Sequence, residues 1–308
     1  MLERIVGPLL PVTFIIVLGY IAGKRRRLSH DDSLLISRLV LTWIFPSLLL
    51  IGMAKTSRAQ ILDYHFIAAT FVGIMGMYLL VLALGWWQLR KLDSATIKAL
   101  VCGYPDAAFM GIPILQSMFG PGSIYSVLVL NIIAALVMLP LTTMLLTLAQ
   151  GEQSGRAAFF GSLRQALTKP LVWAPALGIA VSLLEIKVPP VLASSLDLLG
   201  KATPGVSLLC LGVIMSSVKL TMSREVIANL GLKLIAQPLL MYGATILFAV
   251  KGEFAHQMIL LCALPSATIS AMFANEAGVY RSEAATSILV CTVLSVVTFS
   301  IAIALTSS

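Results

Sequence analysis

The fold of this chain depends on two short stretches, Gly103-Tyr104-Pro105-Asp106-Ala107-Ala108 and Ala263-Leu264-Pro265-Ser266-Ala267-Thr268. Each places a proline near the middle of a long apolar run. Proline removes one helical hydrogen bond and clashes with the preceding turn, which costs about 3 kcal/mol in a helix interior. In lipid the freed carbonyls cannot turn to water, so they need a protein partner, a polar cavity or a ligand. One such proline can be a kink repaired by neighbouring Ser or Thr, but a matched pair favours a transport site.

The composition places the chain in a membrane. Of its 308 residues, 59% are hydrophobic and 11% are charged, whereas soluble domains are about half apolar and about a quarter charged. A spanning helix needs about 20 apolar residues, and its backbone groups must be paired within the segment. Ten such segments can be drawn, at 5–23, 33–54, 65–89, 94–119, 122–149, 169–185, 190–218, 224–250, 254–277 and 282–306. The sequence therefore predicts an all-α integral membrane protein with ten transmembrane helices.

Charge and motif content argue against several function classes. The net charge of +8 comes from basic residues in short loops between apolar runs, so we expect no nucleic-acid partner. The four cysteines lie inside apolar stretches without C-x-x-C spacing and the three histidines are scattered, so no metal site is predicted. The sequence has no G-x-x-x-x-G-K-[ST] loop, which argues against an ATP-driven pump, and we expect no cofactor.

Basic residues also predict the orientation in the bilayer. With the N-terminus outside, the cytoplasmic ends of the spans carry twelve Lys or Arg residues and the opposite ends carry five. Residues 24–27, Lys-Arg-Arg-Arg, follow the first apolar run instead of preceding it, so this run is a span and not a secretory signal. We expect a multi-pass protein of the cell inner (plasma) membrane with both termini periplasmic or extracellular.

A polar stretch at the midpoint divides the predicted spans into five and five. This stretch, 150–168, separates the halves 1–149 and 169–308. Because each half has an odd number of spans, the second half starts on the opposite side of the membrane from the first. The sequence therefore predicts two inverted five-helix repeats, helices 1–5 and helices 6–10, joined by a cytoplasmic loop.

The proline spacing supports a duplication. Pro46 lies 59 residues before Pro105, and Pro204 lies 61 residues before Pro265. Because the chain has fourteen prolines, one matching spacing would be weak evidence for a duplication. Two matching spacings, one in each half of the chain, are stronger evidence.

The residues beside each proline are predicted to contact the substrate. Asp106 and Ser266 are good helix N-caps, so each could open the second half of its broken helix. The N-terminal end of such a half-helix presents free N–H groups and partial positive charge, which suit a carboxylate. The predicted substrate-binding residues are Pro105, Asp106, Ala107, Pro265, Ser266 and Ala267. Asn131, in the fifth span, is either a further ligand or a core hydrogen-bonding residue.

Asp106 is the only acidic residue that we place near the membrane midplane. A charge there is costly, so it is a functional candidate. Burial favours the neutral carboxyl, and Asp106 could then carry a proton: an anion would be repelled by ionised Asp106 and accepted beside its protonated form. The alternative is that Asp106 serves only as an N-cap.

Two further charged features are predicted inside spans. Asp197 and Lys201 are four residues apart and should form a helical ion pair near the outer end of the seventh span, with a gate as the alternative role. Lys233 lies about two turns inside the eighth span, and either reaches back to the cytoplasmic surface or supplies a counter-charge to substrate or Asp106.

Three stretches resemble the auxin efflux carrier family. The first is similar to its fourth-span motif, in which Pro-Asn precedes Met/Leu-Gly-Ile/Leu-Pro-Leu, and reads Pro105-Asp106-Ala107-Ala108-Phe109-Met110-Gly111-Ile112-Pro113-Ile114-Leu115. The second resembles the ninth-span motif and combines Ala263-Leu264-Pro265 with Phe273-Ala274-Asn275-Glu276. The third is similar to bacterial malonate-carrier members and combines residues 169–175 with residues 186–189. Asp106 departs from the family, which usually has Asn there, and the long cytoplasmic insert of the plant PIN-FORMED transporters is absent.

The resemblance implies a fold in which helices 4 and 9 unwind at their prolines and cross. It also implies an elevator movement of a transport domain, helices 3–5 and 8–10, against a scaffold of helices 1, 2, 6 and 7. The implied substrates are small organic acids, so we predict a secondary active transporter of malonate-like di- or monocarboxylates. Proton or sodium coupling and a homodimer are left open.

Three alternatives to this function are retained. The first is an efflux carrier of auxin-like aromatic acids, and the second is a channel. The third, a membrane-embedded enzyme, would need a nucleophile–base pair or metal ligands such as H-E-x-x-H, and the sequence has neither, so we predict no enzymatic activity.

Overall fold

The structure is a computed structural model. It describes residues 2–61, 63–150, 160–161, 164, 167–217 and 221–306. These residues form helices and their connections, and no β-strand occurs among them. The all-α prediction is confirmed, whereas most of the predicted loop 150–168 lies outside the described residues.

The helices are numbered here in chain order over the described residues. They are α1 (Leu2–Lys24), α2 (His30–Leu39), α3 (Phe45–Ala54), α4 (Arg58–Ile61), α5 (Tyr64–Leu89), α6 (Leu92–Gly103), α7 (Ile112–Phe119), α8 (Ile124–Ile133), α9 (Leu139–Gln150), α10 (Pro170–Leu183), α11 (Pro190–Gly200), α12 (Thr203–Ser217), α13 (Arg224–Gly231), α14 (Gln237–Leu247), α15 (Glu253–Ala263), α16 (Ile269–Ala277) and α17 (Arg281–Thr306). Four π-helical turns connect some of them, at Val40–Ile44, Ala107–Gly111, Ala134–Met138 and Leu232–Ala236.

Several helical stretches are long and apolar enough to cross a membrane. Within the described parts of the chain there are five, Asp31–Ala54, Tyr64–Leu89, Pro121–Gln150, Pro190–Ser216 and Arg224–Leu247. Shorter apolar helices occur at Thr13–Lys24, Phe109–Phe119 and Val172–Leu183. A multi-pass membrane protein is confirmed, and ten spans stay a prediction. The predicted spans 94–119 and 254–277 are not among the five because each is interrupted at its proline.

The chain divides into two compact units, each built from three segments. The first unit comprises Met1–Tyr64, Ala108–Asn131 and Leu167–Ser217. The second comprises His65–Ala107, Ile132–Ala166 and Val218–Ser308.

In the first unit, α1 packs closely against α12 through glycines. A Cβ atom added at Gly19 would lie 2.1 Å from the carbonyl oxygen of Leu209, and one added at Gly212 would lie 2.1 Å from that of Ile16. Helix association in lipid depends on close packing, and small residues allow the two backbones to approach. These two glycines therefore set the separation of the helices.

In the second unit, a small apolar cluster joins four helices. The cluster comprises the buried side chains of Ile97, Val101, Leu146, Ala274 and Ala284. These residues belong to α6, α9, α16 and α17. The cluster thereby packs α6, which precedes the first break, against α16, which follows the second.

Each π-helical turn ends two residues before a proline. The prolines are Pro46, Pro113, Pro140 and Pro238. In three of the turns the residue just before the proline donates its amide hydrogen to the carbonyl five residues back, as Leu139 does to Ala134. Because a helical proline clashes with the carbonyl four residues back, a wider turn relieves the clash without breaking the helix.

Candidate functional site

The two proline stretches meet inside the second unit. Helix α6 ends at Gly103 and helix α15 ends at Ala263. Beyond these ends, Pro105 and Ser266 form an isolated antiparallel bridge. The amide of Asp106 donates to the carbonyl of Pro265 at 2.8 Å, and the amide of Ala267 donates to the carbonyl of Tyr104 at 2.9 Å. Both helices are thus broken at their prolines, and their extended segments cross; we call residues 104–107 and 264–268 the crossing.

The predicted site residues of the two stretches are buried at the crossing. The exposed fraction is 2% for Asp106, 1% for Ser266 and 6% for Ala267. A carboxyl group and a hydroxyl group therefore lie at the crossing, shielded from the surroundings of the protein.

The helix that follows the second break begins later than expected. Helix α16 starts at Ile269, with Thr268 in the N-cap position and no hydrogen bond from a capping side chain. The prediction that Ser266 caps this helix is therefore wrong, because the crossing keeps residues 264–267 outside the helix.

Asn131 lies in α8 and is the last residue of the Ala108–Asn131 segment of the first unit. Its side-chain amide donates to the carbonyl of Val127, one turn earlier in the same helix, at 2.8 Å. Its part in substrate binding stays a prediction.

A row of polar side chains runs along the eighth predicted span towards the crossing. Glu225, Asn229, Lys233 and Gln237 recur at four-residue intervals, the spacing that places side chains on one face of a helix. The last three are fully buried. We call these four residues the polar row.

The inner end of the polar row binds the ends of both broken helices. The Lys233 ammonium donates to the Gln237 side-chain oxygen and, at 3.3 Å, to the carbonyl of Cys262 near the end of α15. The Gln237 amide donates to the carbonyl of Gly103, the last residue of α6, at 2.8 Å. Carbonyls at a helix C-terminus lack partners within the helix and attract cations. Lys233 therefore points into the second unit, and the alternative in which it reaches the cytoplasmic surface is wrong.

The other end of the polar row forms a hydrogen-bonded network. The buried Lys98 ammonium donates to Glu225 and to Gln88, each at 2.8 Å. The Tyr280 hydroxyl donates to Glu225 at 3.0 Å, and the Asn229 amide donates to Tyr280 at 3.1 Å. This network was not predicted from the sequence, although polar residues that repeat every four positions in an apolar span are a signal that could have revealed it.

Two other predictions concern charges and metals. The ion pair between Lys201 and Asp197 is confirmed, with 2.7 Å between the ammonium nitrogen and the carboxylate oxygen. In the part of the chain that the structure describes, no three His, Cys, Asp or Glu side chains are placed to hold a metal ion.

Comparisons with known proteins identify a family of membrane transport proteins. The sequence matches the model of a family described as membrane transport protein over residues 4–303. It is 29% identical over 307 residues to the uncharacterized transporter YfdV of Escherichia coli (strain K12), covering 97% of this chain and 96% of the relative. It is 23% identical to a putative malonate transporter of Rhizobium meliloti, covering 96% and 94%. It is 22% identical to auxin efflux carrier component 5 of Arabidopsis thaliana, covering 93% and 92%.

Proposed function

We propose that this chain, which belongs to the auxin efflux carrier family of membrane transport proteins, is a secondary active transporter of small organic anions. Malonate-like di- or monocarboxylates are the proposed substrates, and the residues of the crossing are the proposed ligands. The observation that supports this most is the crossing itself. At the crossing, two helices of an apolar protein lose their regular backbone hydrogen bonds. Unwound backbone at membrane depth is tolerated only where it is buried in protein or lines a cavity.

The charges around the crossing suit an anion that travels with a proton. Lys233, a buried lysine, is bound near the end of α15 through the carbonyl of Cys262, three residues before Pro265. When Asp106 is ionised, the two charges offset each other; when Asp106 is protonated, the positive charge of Lys233 is available to an anion. We therefore propose proton-coupled transport, with Asp106 as the proton carrier.

The proposed movement is of the elevator type. Every proposed ligand in the two proline stretches belongs to the second unit. A unit that contains both strands of the crossing can move as one body with its substrate. We further propose the orientation with both termini outside and the two inverted repeats 1–149 and 169–308, each of which contains one broken helix.

Aromatic acids of the auxin type are the second candidate substrates. Tyr104 belongs to the first proline stretch and is 8% exposed. Aromatic rings beside a carboxylate site could stack on an aromatic substrate.

The experiment is uptake of labelled malonate into proteoliposomes under an imposed pH gradient. We expect accumulation above the external concentration that collapses when a protonophore is added. In Pro265→Ala, which restores a helical amide at the break, we expect uptake to fall about ten-fold or more, equivalent to about 1.4 kcal/mol. The matched control is Pro190→Ala, since Pro190 is exposed at the start of α11.

Three results would contradict the proposal. Flux that only equilibrates malonate would indicate a channel. Accumulation of indole-3-acetate without malonate would favour the aromatic substrates. Full uptake by Pro265→Ala would show that transport does not depend on the break at the crossing.

A further inference from the structure

The first unit contains a cavity of about 560 Å³. Its walls come from the end of α3, the connection between α7 and α8, and the junction of α11 with α12, and they include Gly52, Lys55, Thr56, Gln116, Asp197 and Lys201. All of the lining residues belong to the first unit, and none belongs to the crossing. The volume lies within the range of about 300–1,000 Å³ that small-molecule sites occupy.

The charged residues of the cavity leave it net positive. Lys55 and Lys201 supply two ammonium groups, and Asp197 supplies one carboxylate. The Lys201 side chain is 72% exposed and the Asp197 side chain 34% exposed, so both are accessible from the cavity. Because a lysine ammonium has three donor hydrogens, Lys201 can hold a second carboxylate beside Asp197.

The junction of α11 with α12 forms one wall of the cavity. Helix α11 ends at Gly200 and α12 begins at Thr203, and Gly200 and Pro204 both line the cavity. Because a helix C-terminus and a helix N-terminus meet here, their partial charges offset each other, and the two lysines carry the attraction for an anion. Apolar side chains of Leu48, Ile51 and Ile124 form the remaining wall, which suits the carbon chain of a small organic acid.

We propose that this cavity is a second binding site for small carboxylates, separate from the crossing, in which Lys55 and Lys201 bind the anion and Asp197 competes with it. It lies at the end of the first unit that holds Lys55, the extracellular end in the proposed orientation. The inference rests on the proposed function only for the identity of the anion, since the cavity would take the carboxylates that the protein carries. Its role is to concentrate the anion at the surface.

The test is protection of an engineered cysteine. Gly122 lines the cavity, and a Cβ atom added there meets no other atom within 4 Å, so Gly122→Cys fits. The four native cysteines are buried and free. In the purified full chain, the rate of modification of this cysteine by N-ethylmaleimide is measured against malonate concentration at constant ionic strength. We expect malonate to slow modification in a saturable way, and Thr56→Cys serves as a second reporter.

Variants of the charged lining residues should change the malonate concentration that gives half-protection. Lys55→Gln and Lys201→Gln should each raise the malonate concentration for half-protection by about two- to five-fold, the scale of a partly exposed ion pair. Asp197→Asn should lower it by a similar factor, because the competing carboxylate is removed. Lys187→Gln is the matched control, as it changes a lysine in the loop before α11 that does not line the cavity.

Several outcomes would overturn the proposal. The first is a modification rate that malonate does not change at either reporter cysteine. The second is protection by chloride equal to that by malonate. The third is the same malonate concentration for half-protection in all charge variants. The same measurement in Pro265→Ala separates this proposal from the proposed function. Protection that persists while uptake is lost places binding in the cavity, and protection that disappears with the crossing refutes a separate site. If no variant transports malonate, saturable protection still supports the cavity.

Discussion

At the residue scale, the crossing depends more on backbone atoms than on side chains. The amides of Asp106 and Ala267 use carbonyls from the opposite stretch, and Gln237 and Lys233 bind carbonyls near the two helix ends. Buried polar groups that lack a partner are costly, so each of these contacts replaces one that a regular helix would have supplied. Asp106 supplies the carboxyl group at the crossing and is buried at 2% exposure.

Replacing Asp106 with Asn tests proton carriage. The amide keeps the size and hydrogen-bonding capacity of the carboxyl but cannot release a proton at neutral pH. We expect Asp106→Asn to lose at least about nine-tenths of pH-driven malonate uptake, a change of about 1.4 kcal/mol in rate terms, while the protein still purifies as a folded species. Asp93→Asn, the same change at the start of α6, should keep normal uptake. Full pH-driven uptake by Asp106→Asn would exclude proton carriage by this residue.

Replacing Lys233 with Met tests the polar row. Methionine fills a similar volume but leaves the Gln237 oxygen and the Cys262 carbonyl without their donor. Since an unpaired buried acceptor costs about 1–3 kcal/mol, we expect a loss of about 2–5 kcal/mol in stability. The measurement is the apparent melting temperature of the detergent-purified protein, with the exposed Lys251→Met as control. An unchanged melting temperature would show that Lys233 does not stabilise the crossing.

At the element scale, proline has two different effects in this chain. At Pro46, Pro113, Pro140 and Pro238 the helix widens into a π-helical turn and continues. At Pro105 and Pro265 it stops, and the backbone runs on as extended chain. The difference is the partner: only at the crossing does a second unwound segment supply amides and carbonyls to the first.

Because α1 and α12 pack closely, we expect Gly→Ala substitutions at two glycines of α12 to affect stability differently. Gly212→Ala would press a methyl group against the backbone of α1, so we expect a loss of about 1–3 kcal/mol. At Gly205 an added Cβ atom meets nothing within 4 Å, so Gly205→Ala should be neutral or stabilise by up to about 1 kcal/mol. Melting temperatures of both variants check this, and a Gly212→Ala variant as stable as the parent would show that α1 and α12 can separate at no cost.

At the scale of the whole molecule, each unit is formed by three separate segments of the chain. Segments distant in sequence, such as His65–Ala107 and Val218–Ser308, form the second unit and bring the two proline stretches together. The first unit contains the charged cavity and the second contains the crossing. The two proposed anion sites thus belong to different units.

The proposed elevator movement predicts different labelling of the two units. A cysteine at Thr268, in the crossing, should react with a membrane-impermeant maleimide from either side, and the favoured side should change with the pH gradient. A cysteine at Gly122, in the first unit, should react from the outer side only. Labelling of reconstituted protein from each side measures this. A Thr268→Cys reporter that reacts from one side under all gradients would contradict the movement.

The sequence by itself determined the membrane environment, the all-α class and the positions at which a proline disturbs helical hydrogen bonding, because hydropathy and the missing amide of proline are local properties. It also determined the Asp197–Lys201 pair, whose partners are one helical turn apart. Only the tertiary structure decided that Pro105 and Pro265 break their helices while Pro140 and Pro238 widen theirs, that Lys233 turns inward, and that the charged cavity exists. Each of these depends on partners that are distant in the chain, and whether a buried polar group is satisfied is set by which segments pack beside it.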